Sequence, residues 1–92
     1  MPQFAMTLTW REFERQLQPL LAGWSVAQVA EGWRLQQQDR TVDICCQTLP
    51  VLQIGAFHLP RLAVSIVFSG GRPEENADFI EDFMRYFRRG GG

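Results

Sequence analysis

Proton transfer and nucleophilic attack in proteins fall mostly to histidine, cysteine, lysine and tyrosine, and this chain is short of all four. It holds one histidine, His58, one tyrosine, Tyr86, two cysteines, Cys45 and Cys46, and no lysine among its nine basic residues. Schiff-base chemistry, a phosphate-loop lysine and a lysine general base are thereby excluded. A histidine-dependent triad would rest on His58 alone, and no carboxylate or nucleophile lies near it in sequence. The sequence therefore predicts no catalytic residue, no metal ligand and no cofactor-binding residue.

Cys45 and Cys46 are adjacent, so on a strand their side chains point to opposite faces. A pair at zero spacing closes no loop and cannot serve as a secreted-type staple. One buried, inert thiol and one more exposed thiol is the expected arrangement. A redox pair is the alternative. The acidic run Glu74, Glu75, Asp78, Glu81 and Asp82 lies on one convex helix face, which cannot wrap a hard cation, so a solvated surface is expected. If there is a binding site, the residues to carry it are Trp33, His58 and Arg61, with Arg88 and Arg89 in the tail.

Composition places the chain among ordinary globular domains: 46% hydrophobic, 21% charged, formal net charge −1. That balance argues against disorder and against the basic footprint of a nucleic-acid binder. The opening lacks a signal-peptide pattern, and the apolar stretch Leu62–Phe68 is far short of the ~20 residues a membrane span needs. A cytoplasmic protein with no membrane or nucleic-acid partner is expected.

Two helices must position whatever site exists. Thr9 and Glu12 form a capping box, flanked by Leu8 and Phe13 at staple spacing. The stripe Trp10, Phe13, Leu17, Leu20, Leu21 then predicts a helix from Trp10 to about Gln18, broken by Pro19 into an irregular last turn. Pro73 opens a second helix, with Phe79, Ile80, Phe83, Met84 and Phe87 on one stripe and Gly90 expected to stop it. Acids at its start and arginines at its end suit the helix dipole.

Between the helices the period is two. Trp24–Ala30, Trp33–Gln38 and Thr41–Gln47 read as a meander with turns at Glu31-Gly32 and Asp39-Arg40. Val42, Ile44 and Cys46 face inward, while Asp43, Cys45 and Gln47 face out. Leu49-Pro50-Val51-Leu52 and Leu59-Pro60-Arg61-Leu62 repeat one pattern, which predicts two strand starts or the edges of a peptide groove. Leu62–Phe68 is apolar on both faces and belongs mid-sheet or under a partner.

The expected fold is a single α+β domain over 1–92. It is a two-layer sandwich with an N-terminal helix, an antiparallel sheet of four to five strands and a C-terminal helix, both helices on one face. Residues 1–6 are expected to form a loose leader and 90–92 a flexible glycine tail. The tail Arg88-Arg89-Gly90-Gly91-Gly92 resembles the diglycine tails of ubiquitin-like modifiers and sulfur carriers, which implies adenylation of the Gly92 carboxylate. That family's tail leaves a strand, whereas this one leaves a helix. The scarcity of catalytic groups favours a small non-enzymatic protein-binding or adaptor module of unknown partner. Its apolar excess predicts a symmetric homodimer through the sheet. A carrier or redox accessory using the tail or the cysteine pair is the alternative.

Overall fold

A computed structural model describes residues 2–91, with side chains as far as Phe87. The elements run β1 Gln3–Met6, α1 Trp10–Leu17, a 3-10 turn Gln18–Leu21, β2 Ser25–Val29, β3 Gly32–Gln37, β4 Arg40–Ile54, β5 Phe57–Ser69 and α2 Pro73–Gly91. The strands form one antiparallel sheet in the order β1-β5-β4-β3-β2. The chain is an α+β domain with the helices packed on one face of the sheet, as its two single-striped helices predict.

Local signals explain most of these boundaries. The Thr9 backbone N–H donates to Glu12 Oε1 at 2.9 Å, and the Glu12 N–H donates to Thr9 Oγ1 at 3.1 Å. This reciprocal cap satisfies two of the donors that open a helix. Pro19 ends regular α geometry, and the chain tightens into the 3-10 turn. Glu75 caps α2 in the same sense, accepting from the Arg72 N–H at 2.9 Å.

The core lies between helices and sheet. Val42, Ile44 and Cys46 of β4 and Leu62, Val64 and Ile66 of β5 are all buried. They meet Phe13 and Leu17 of α1 and Phe79, Phe83 and Phe87 of α2, all buried too. Aromatic rings bind the layers: Phe13 stacks on Phe87 at 4.7 Å, Phe83 lies 4.6 Å from Phe87, and Phe4 of β1 lies 5.1 Å from Phe83. Gly32 is required by close approach. A Cβ there would occupy the space of the Ile44 carbonyl oxygen, so the β2–β3 turn admits no side chain at that point.

Four expectations need correction. Residues 3–6 are a strand, not a loose leader: Gln3–Met6 pairs with Ser65–Leu62 and completes the sheet edge. The Leu-Pro repeats do not start strands, because Pro50 lies within β4 and Pro60 within β5. A proline interrupts a ladder only where its N–H is needed, and both lie where their strands have a free outer edge. The hairpin turns fall one residue earlier than predicted, at Ala30-Glu31 and Gln38-Asp39. Gly90 does not stop α2, whose last residue is Gly91.

Candidate functional site

Strands β4 and β5 are much longer than their neighbours. Pairing of β1 with β5 reaches only to Leu62, and pairing of β3 with β4 only to Cys45. Beyond those points the two strands continue as a two-stranded arm with both outer edges free, and the molecule measures 48 × 25 × 22 Å.

The arm owes its face to one irregularity. From Thr41↔Ser69 to Leu49↔Arg61 the register is regular; it then shifts by one residue, resuming at Leu52↔Leu59. The extra residue lies in β4, at Pro50-Val51, and constitutes a β-bulge. Even-numbered residues of β4 face the helices before the bulge. One added residue reverses that parity, so Leu52 and Ile54 join Leu59 and Phe57 on the face turned away from the helices. Two apolar rungs result, Leu52↔Leu59 and Ile54↔Phe57. Phe57 is 71% exposed, Val51 57%, Ile54 56% and Leu52 40%. From Ile44 to Pro60 the sequence holds no Asp, Glu, Lys or Arg.

On the same face, over the body of the sheet, small residues floor an open trough of about 900 Å³. Its lining includes Ala5, Ala63, Ser65 and Cys45, rimmed by Gln3, Gln47 and Glu31. Cys45 is half-buried and Cys46 buried, and both are free thiols. Burial, with a smaller contribution from Cys45, pushes the Cys46 thiol up to about 12, so at neutral pH it is protonated and unreactive. Nearby, Arg34 Nε donates to Asp43 Oδ1 at 2.7 Å across β3 and β4. That hydrogen bond raises the Arg34 pKa further above its ordinary value.

A smaller cleft of about 410 Å³ lies between the 3-10 turn, β4 and α2, with Arg40 at its wall. The Arg40 guanidinium carbon lies 4.9 Å from the Trp24 ring centroid, and Nη1 lies 3.9 Å from Glu75 Oε2. These contacts join the start of β4 to Trp24, just before β2, and to the first turn of α2. Farther along α2, Arg85 pairs with Glu81 at 3.6 Å and Asp82 at 3.2 Å. Glu74, Glu75, Glu81 and Asp82 of the acidic face each pair with an arginine, and among the described residues no group of three or more His, Cys, Asp or Glu is placed to hold a metal ion.

The structure separates the residues expected to form a site. Trp33 is buried, paired with Ile44 and stacked on Trp10 at 5.2 Å; it belongs to the core. His58 pairs with Gln53 on the arm and is exposed, and Arg61 pairs with Leu49 at the arm's base. His58 lies eight residues along β5 from the Ile66↔Ile44 rung, about 26 Å at the usual strand rise, so it does not meet Trp33. The side chains of Arg88 and Arg89, and all of Gly92, lie outside the described residues. The apolar rungs were missed in the sequence. Their signal was the uncharged run from Ile44 to Pro60, whose parity only the bulge reveals.

No protein-family model matches the chain, and neither the curated proteins nor the solved structures give a significant match. The described geometry defines a small α+β domain carrying an apolar two-stranded arm. Among the described residues no helix is long and apolar enough to cross a membrane.

Proposed function

We propose that the chain is a small non-enzymatic protein-binding module whose contact surface is the tip of the β4–β5 arm. The observation that supports this reading is the exposure of Val51, Leu52, Ile54 and Phe57 together at the end of a ribbon with two free edges. Contiguous exposed apolar surface on a small domain marks an interaction site. Free strand edges also template pairing with another chain, and a two-stranded ribbon is marginal in water until something packs on it. A photo-crosslinking amino acid at position 57 tests the reading in the source cells. The expected result is a discrete protein adduct that is absent when the crosslinker stands at Gln36, on the exposed face of β3. No adduct, or the same pattern from both positions, overturns it.

A further inference from the structure

The geometry points to a second copy of this chain as the occupant of the arm, an inference that rests on the binding-module reading above. The two rungs differ in size: Leu52↔Leu59 is the slimmer and Ile54↔Phe57 the bulkier. A two-fold axis crossing the arm between them, with two arms face to face, lays the Leu pair of one copy against the Ile–Phe pair of the other. Large then meets small at both rungs, and the patch is complementary to itself, which an isologous interface requires.

Charge agrees with this arrangement. A two-fold axis places identical groups near one another, so a charge close to it repels its own image. The run from Ile44 to Pro60 carries none, and the nearest ionised side chains, Asp43 and Arg61, lie outside the two rungs. A foreign acidic or basic partner would find no charge on this patch to recognise. A lipid surface is disfavoured for the same reason, since an interfacial anchor ordinarily adds basic residues to its apolar face.

Area sets the strength. The exposed parts of these side chains amount to on the order of 400 Å² per copy, about half the ~800 Å² per partner of a standard interface. The dimer is therefore reversible and concentration-dependent, and the free arm is the form present in dilute solution.

Sedimentation equilibrium of the purified full chain over a wide concentration range tests this. The mass should rise from 10.6 kDa toward twice that value. Phe57→Arg and Phe57→Glu chains should each remain at 10.6 kDa with unchanged melting of the body, since Phe57 is 71% exposed. An equimolar mixture of the two should associate, because the opposite charges at position 57 then lie diagonally across the axis, about 7 Å apart along the strands, within reach of paired Arg and Glu side chains. A constant monomer mass for the parent overturns the second copy. A discrete crosslinked adduct with a different protein would in that case leave the binding module standing, and no adduct would remove both. A dimer indifferent to the Phe57 variants, a mixture that stays monomeric, or sedimentation of the chain with phosphatidylcholine vesicles through the arm each overturns the inference as well.

Discussion

At the scale of single residues, ionisable groups tie stability to pH from opposite ends. The Glu12 carboxylate is held below its ordinary range by its hydrogen bonds with Thr9. A lowered carboxyl pKa gives stability that is present above the unfolded value and is lost as pH falls through the folded one. The cap should therefore weaken below about pH 4.5. Thr9→Ala should cost about 1 kcal/mol at neutral pH and flatten that acid limb of the melting curve. Cys46 works in the other direction. Its raised pKa gives stability that is complete below the unfolded value of 9.0 and disappears as pH climbs toward about 12. Cys46→Ala should cost about 1 kcal/mol at neutral pH and abolish that alkaline loss, measured by denaturant titration from pH 8 to pH 12. Cys45→Ser should stay within about 0.5 kcal/mol, because Cys45 faces the trough and leaves the core packing untouched. A loss of binding with folding intact would instead promote the thiol pair to a functional role.

Among the elements, the arm carries the sharpest structural claim. The bulge at Pro50-Val51 sets which face Leu52 and Ile54 occupy. Deleting Val51 removes the extra residue while leaving Leu52↔Leu59 and Ile54↔Phe57 in register with Leu49↔Arg61. Stability should stay within about 0.5 kcal/mol of the parent, and thermal melting of the deletion variant measures it. A large loss would mean that the bulge itself is needed to hold the ribbon. This is also where sequence reasoning ran out. The helices were legible because capping and a 3.6-residue stripe are local signals, written out at Thr9–Glu12 and Phe79–Phe87. The faces of β4 were legible from alternation as far as Gln47. Beyond it Pro50 and Pro60 imitate strand starts, because a proline on a free edge cannot be told locally from one that begins a strand. Nor could β1 be read locally: Gln3–Met6 is only four residues long and takes its pairing from the distant β5. The candidate site fared worst, since Trp33 is an aromatic whose burial depends on the placement of α1.

For the molecule as a whole, one aromatic-lined core holds two helices to five strands, and Phe83 sits at its centre. It is fully buried, 5.1 Å from Phe4 and 6.2 Å from Phe13. Truncation to alanine should cost about 3–5 kcal/mol, a large part of the ~5–15 kcal/mol that stabilises a typical domain. Phe83→Asp adds a buried, unpaired carboxylate and should abolish cooperative unfolding in calorimetry; a parent-like melt would refute the arrangement of the core. The order of strands in the sheet also sets an order in time. β2 through β5 are linked by short hairpins and can zip together as neighbours, whereas β1 must find β5 across roughly 60 residues of intervening chain. It is synthesised before its partner β5 and should dock last, with its contacts forming on the native side of the folding barrier. A glycine at Ala5, opposite Ala63, should accelerate unfolding and leave the folding rate nearly unchanged. Until β1 docks, the outer edge of β5 stands open from Leu62 to Ser65, and the strand that comes earliest in the sequence is the cover that shields it.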